Sequence, residues 1–177
     1  MTASILVAYA TRYGSTHEVA EAVASAIRGH GLTADVKPVG DVACLDGYGA
    51  VVLGAPIYIG HLYGDFRAFL LRHRETLEKL PVAVFALGPL HDDPAEIAGS
   101  REALARELAR LRWLKPVATQ VFVGTYDPAH LGFLHRIMAA VPGTPLHDLP
   151  ATDERDPAVT EAWADRLAIT LEVAMED

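Results

Sequence analysis

Three hydroxyl side chains, Thr11, Ser15 and Thr16, surround Gly14 in the stretch Tyr9-Ala-Thr-Arg-Tyr-Gly-Ser-Thr16. The stretch follows an apolar run, Ser4–Ala8, and precedes a helix-like run, His17–Arg28. A strand that breaks into such a turn and then a helix is a phosphate cradle. The first N–H groups of a helix have no intrahelical partners, and the helix dipole favours an anion there. The hydroxyls add donors, Gly14 lets the backbone come close, and Arg12 could add charge. The plainer reading is a helix cap, with Thr16 ahead of His17-Glu18-Val19. Three hydroxyls around one glycine exceed what a single cap needs.

Two further loops carry groups of chemical interest. In Pro56-Ile57-Tyr58-Ile59-Gly60-His61, Tyr58 could stack on a flat ligand ring or pack beneath the loop. Gly60 leaves room for a backbone N–H or C=O to reach a ligand. In Leu87-Gly88-Pro89-Leu90-His91, the histidine matches His61 as a group able to move a proton near neutral pH. The plainer reading of both is a solvated or capping side chain. Asp92 and Asp93 read as solvated turn residues, and Cys44 as a small packed residue. Asp127, His130 and His135 lack a metal-ligand spacing, so no metal site is expected.

These loops need a scaffold that brings them to one edge. Ser4–Ala8, Ala50–Leu53, Pro81–Leu87 and Val117–Gly124 read as strands buried on both faces. Thr33–Val39 alternates loosely, like a peripheral strand, and Val42–Tyr48 reads as a short connection. Helical spacing aligns Val19, Val23 and Ile27, with Gly29 and Gly31 as the stop. It also aligns Phe66, Phe69, Leu70, His73 and Leu77 in Gly64–Leu77, and Ile97, Leu104, Leu108 and Leu111 in Pro94–Trp113. A last helix opens with Asp156 as cap and Pro157 at its first position, burying Val159, Trp163, Leu167 and Leu171. Alternating strands and helices predict an α/β fold, a doubly wound five-stranded parallel sheet with helices on both faces. Ligands of such sheets sit outside the carboxyl ends of the strands, where the loops 10–16, 55–63 and 88–93 lie.

Composition narrows the function. At 177 residues and 51% hydrophobic, the chain reads as one domain over 1–177, with an extra helical segment at about 127–145. The net charge of -8, without a run of Lys or Arg, argues against nucleic acid and a polybasic anchor. A single cysteine excludes an internal disulfide. With no secretory pattern and no apolar run long enough to span a bilayer, a cytoplasmic location is expected, a peripheral membrane contact staying open. In the extra segment, Leu131, Leu134, Ile137, Met138 and Val141 form one apolar stripe beside Phe133. That stripe suits packing on the sheet or in a homodimer, or a docking surface for a hydrophobic reductant or quinone.

The spacing Thr11-x-x-Gly14-x-Thr16 resembles the phosphate loop of the flavodoxin-like superfamily. It differs from a Gly-x-Gly-x-x-Gly fingerprint and from a P-loop. The resemblance implies a sheet of order 2-1-3-4-5 and an FMN held by its single phosphate, mainly through uncharged donors. It places Thr11, Arg12, Tyr13, Gly14, Ser15 and Thr16 at the phosphate. Pro56, Ile57, Tyr58, Ile59 and Gly60 become the second flavin loop, and Leu87, Gly88, Pro89 and Leu90 the third. His61 and His91 are then the proton-handling, catalytic candidates. Within the superfamily, Ile57-Tyr58-Ile59-Gly60-His61, the extra segment and the Thr152–Pro157 stretch before a helix with Trp163 resemble the menaquinone-dependent protoporphyrinogen oxidase family. This implies protoporphyrinogen oxidation with a quinone acceptor, in haem biosynthesis. The segment Asp127–Val141 departs from that family in having Arg136 as its one fixed cation. A flavodoxin-type electron carrier working with a redox protein, and an NAD(P)H:quinone reductase, remain open.

Overall fold

Alternate residues of β1 (Ser4–Tyr9) go to opposite sides of one sheet, and both sides are covered. The computed structural model describes residues 4–11, 14–58, 61–62, 64–89, 91–126 and 151–176. β1 runs parallel to β2 (Ala34–Pro38) on one side and to β3 (Tyr48–Tyr58) on the other. β3 turns back into β4 (His61–Leu62), which pairs with it antiparallel. Beyond β3 lie β5 (Val82–Leu87) and then β6 (Ala118–Phe122), both parallel. The sheet order is β2-β1-β3-β5-β6, which is 2-1-3-4-5 when the parallel strands alone are counted. A separate pair, β7 (Thr125–Tyr126) and β8 (Thr152–Asp153), is antiparallel.

The helices divide between the faces. α1 (Ser15–Gly29) and α5 (Pro157–Glu176) bury Val23, Ile27, Leu167 and Leu171 in the layer that holds Ile5 and Val7. α2 (Gly64–Arg72) and α4 (Pro94–Arg110) bury Phe66, Phe69, Leu70 and Leu104 with Leu6 and Ala8. Each such side chain contributes on the order of 1.5–3 kcal/mol by leaving water. These two layers explain why the strands read as unbroken apolar runs.

Several elements differ from the sequence expectation. β3 does not end at Leu53 but continues to Tyr58, so half of the second loop is strand. Gly54 and Pro56 look like breakers, yet each fits. A Cβ at Gly54 would lie 2.2 Å from the Phe85 ring, so only glycine leaves space for that ring. The missing N–H of Pro56 costs little, because β1 pairing has already ended at Gly54. β6 is shorter than expected and is an edge strand, with only Val121 and Phe122 buried. α4 ends at Arg110 rather than Trp113.

The helix expected over Gly64–Leu77 breaks at His73, and a short α3 (Arg74–Leu77) follows. The His73 ring packs on Phe69 at 4.6 Å and hydrogen-bonds the Val42 backbone, while its Nε2 is buried without a partner. In α5 the buried stripe is Thr160, Trp163, Ala164, Leu167, Ala168 and Leu171, and Val159 is 46% exposed. Small residues there let α5 approach closely. Cys44 is exposed rather than packed, because its neighbours Val42 and Leu45 take the inward positions.

Two tests follow from this packing. Gly54→Ala drives a methyl into the fully buried Phe85 ring and lowers stability by about 1–3 kcal/mol in urea unfolding, and adding Phe85→Leu recovers part of the loss. Burial holds the His73 pKa below its ordinary 6.5. The unfolded chain therefore takes up a proton that the folded chain refuses. Stability falls as pH drops below about 6.5, and His73→Leu flattens that part of the unfolding-versus-pH curve.

Candidate functional site

β1 and β5 end within two residues of each other along β3, which itself runs on to Tyr58. Tyr9 pairs with Gly54, Pro56 with Leu87, and the Ala10 N–H donates to the Gly54 carbonyl at 2.8 Å. The loops that leave these ends therefore emerge side by side, as the sequence reading requires.

The first loop is built by its own hydrogen bonds. The Gly14 N–H donates to Thr11 Oγ1 at 2.9 Å. Gly14 has φ +93°, a left-handed conformation that a side chain disfavours. Its carbonyl accepts from the N–H groups of His17 at 3.0 Å and Glu18 at 3.4 Å. Gly14, not Thr16, is thus the N-cap of α1, and no side chain caps that end. Thr16 instead sits inside the first turn. It is 1% exposed, and its Oγ1 has no hydrogen-bond partner. Ser15 is half-buried beside it. An unpartnered buried hydroxyl costs about 1–3 kcal/mol. Together with an uncapped helix start, it leaves donors without acceptors among the described residues. An anion such as a phosphate would supply acceptors there.

The second loop is a hairpin. Ile57 pairs with Leu62 and Tyr58 with His61 in the backbone, and Pro56 is buried. The third loop is tied to the sheet edge. The Gly88 N–H donates to the Phe122 carbonyl at 3.0 Å, and the Gly124 N–H to the Pro89 carbonyl at 2.8 Å. A Cβ at Gly88 would meet Ser100 at 2.7 Å. Leu87 buries its side chain in the core layer with Phe122 and Trp163, so only its backbone is left to face a ligand. His91 is partly exposed, with Nδ1 3.2 Å from Glu96 Oε1. Asp93 is not a solvated turn residue. Its Oδ1 accepts from the Ala95 and Glu96 N–H groups at 2.9 and 3.0 Å and caps α4.

Arg12, Tyr13, Ile59, Gly60, Leu90 and the segment 127–145 lie outside the described residues. Among the described residues, no group of His, Cys, Asp and Glu is arranged to hold a metal. Among them also, no helix is long and apolar enough to cross a membrane.

One part of the site was missed in the sequence. Consecutive residues between β8 and α5 reach three different elements. Glu154 Oε2 accepts the Asp92 N–H at 2.6 Å, Arg155 reaches Glu18 in the first turn of α1, and Asp156 caps α5 through the Ala158 N–H at 2.9 Å. Hydrogen bonding to Asp153 raises the Arg155 pKa, and the same contact lowers that of Asp153, so both stay charged. The signal available was the density of charge in Thr152–Pro157, but nothing local in the sequence names its partners.

The geometry has known counterparts. The structure of a flavodoxin from the domain Archaea aligns with a TM-score of 0.55 at 17% identity, over 98% of this chain and 99% of that one. Protoporphyrinogen IX dehydrogenase (quinone) of Escherichia coli strain K12 is 28% identical over 121 residues, 67% of each chain. NAD(P)H dehydrogenase (quinone) of Azorhizobium caulinodans is 32% identical over 38% of this chain and 45% of that one. Both of these relatives are named as quinone-linked oxidoreductases. The family described as the flavodoxin domain matches residues 6–143, which covers β1 through β7. With the sheet order and the cradle at the start of α1, this makes the chain a member of the flavodoxin-domain family.

Proposed function

We propose that this chain is an FMN-dependent oxidoreductase that oxidises a small hydrophobic donor and reduces a quinone. The observation that carries the reading is Thr16 Oγ1, buried and unpartnered at the uncapped start of α1. The donor set there suits FMN, whose phosphate needs hydroxyl and N–H donors. Thr11, Ser15 and Thr16 would hold the phosphate, with Gly14 opening the approach and Arg12 and Tyr13 completing the loop. Pro56, Ile57, Tyr58, Ile59 and Gly60 would line one side of the ring, and the backbone of Leu87, Gly88, Pro89 and Leu90 the other.

Bound FMN supplies the hydride- and electron-transfer chemistry, and the protein orients it. His91 would take or return a proton at Nε2, its Nδ1 facing Glu96. His61, at the hairpin end, would serve the same purpose on the other loop. The hairpin and the third loop would limit water at the ring. The finer reading, protoporphyrinogen as donor in haem biosynthesis, is supported by the activity named for the Escherichia coli relative. NAD(P)H as donor is the second reading, supported by the Azorhizobium caulinodans relative over a smaller share of the chain. An electron carrier docking to a redox protein is less well supported. Glu18, Asp93, Asp153 and Glu154, carboxylates at this end of the sheet, are engaged within the chain rather than left for a partner.

Two measurements check this. Thr16→Val removes the orphaned hydroxyl. It is expected to leave flavin-free protein as stable or more stable, by up to about 1 kcal/mol, while weakening FMN binding at least about tenfold in fluorescence titrations. In anaerobic assays the FMN-loaded protein is expected to oxidise protoporphyrinogen with a menaquinone analogue as acceptor. NAD(P)H oxidation in place of porphyrinogen oxidation would establish the second reading. Failure to bind FMN at all would overturn both.

A further inference from the structure

Arg155 sets its whole guanidinium fork against two carboxylates, Asp153 of β8 and Glu18 in the first turn of α1. Nε and Nη2 donate to Asp153 Oδ1 and Oδ2, both at 2.8 Å, and Nη1 donates to Glu18 Oε2 at 2.6 Å. The Arg155 side chain is 23% exposed, against 63% for Glu18 and 56% for Asp153. The cation is therefore the inner member of the trio, and the planar fork fixes both carboxylates at once. Exposed pairs of this kind add little to stability. What sets this trio apart is its position.

Glu18 lies in the first turn of the helix whose start forms the cradle. A carboxylate there complements the helix dipole when no ligand is bound, but opposes a phosphate dianion when one is. The described cradle residues Thr11, Gly14, Ser15 and Thr16 are uncharged, so within the loop only Arg12 carries a positive charge. Arg155 comes from 137 residues beyond Glu18 and brings a second cation, set on the Glu18 carboxylate itself. Asp153 anchors the fork, and the β7–β8 pair holds Asp153 in place.

We propose that Arg155 is a positioning residue for the phosphate cradle. Anchored on Asp153, it clasps Glu18 and keeps that carboxylate from opposing the dianion at the start of α1, and it thereby sets the preference for FMN over unphosphorylated flavin. The inference rests on the FMN reading of the cradle and assigns the residue that tunes its phosphate selectivity.

The test is the ratio of FMN to riboflavin affinity, measured by flavin fluorescence titration at low salt. Arg155→Met weakens FMN binding about fivefold, the size expected of one unit charge acting on a dianion through a solvent-like dielectric, and leaves riboflavin within about twofold. Arg155→Lys keeps the charge and holds the ratio within about twofold of wild type. Adding Glu18→Gln to Arg155→Met restores the ratio. Glu18→Gln alone tightens FMN about twofold and leaves riboflavin unchanged. Because Glu18 is exposed, that variant decides the matter if Arg155→Met does not fold. Near 1 M salt the differences shrink toward nothing. Equal losses for both flavins in Arg155→Met would mean a purely structural role and overturn the proposal, as would an unchanged ratio in Glu18→Gln. If wild type prefers FMN and the variants leave the ratio alone, only this proposal falls. If wild type binds neither flavin, the FMN reading falls with it.

Discussion

The first turn of α1 holds polar groups that the protein leaves without partners. Thr16 Oγ1 is buried and unbonded, and the helix start has no side-chain cap. Natural chains satisfy such groups in nearly every case, because each one left bare lowers stability by about 1–3 kcal/mol. A ligand that brings acceptors would satisfy that hydroxyl, beside a Gly14 whose left-handed conformation leaves the backbone open. The sheet order and the neighbouring ends of β1, β3 and β5 bring two more loops toward that end of the sheet.

The scaffold around the cradle is rigid for identifiable reasons. β1, β3 and β5 are buried on both faces, and the Phe85 ring, in contact with Phe122 and Trp163, lies over Gly54. The third loop is pinned by the Phe122 carbonyl and by Gly124, and its continuation by Glu154. The charged residues before α5 then tie the first turn of α1 and the third loop to the segment that leads into α5. The cradle is thus held by backbone pairing from below and by a short charged link from the side.

Much of this was legible in the sequence. Apolar runs of strand length separated by helical spacing gave the doubly wound sheet, because burial on both faces removes the usual alternation. Thr11, Gly14, Ser15 and Thr16 stood out by residue type. Their roles did not: Gly14 rather than Thr16 caps the helix, which depends on a positive φ that only the fold reveals. Gly54 and Pro56 hid the last five residues of β3, since both discourage strands until a neighbouring ring and an ended pairing make them fit. His73 broke a helix whose spacing looked continuous, because its ring turns to the Val42 backbone. The link from Arg155 to Glu18 was unreadable, because 137 residues separate the two.

The account stands on one claim, that the start of α1 holds the phosphate of FMN. Amide chemical shifts in ¹⁵N-labelled protein test it most directly. Adding FMN is expected to move the Gly14, Ser15 and Thr16 amides most strongly, with inorganic phosphate moving the same three more weakly. FMN binding that leaves those amides in place would contradict it.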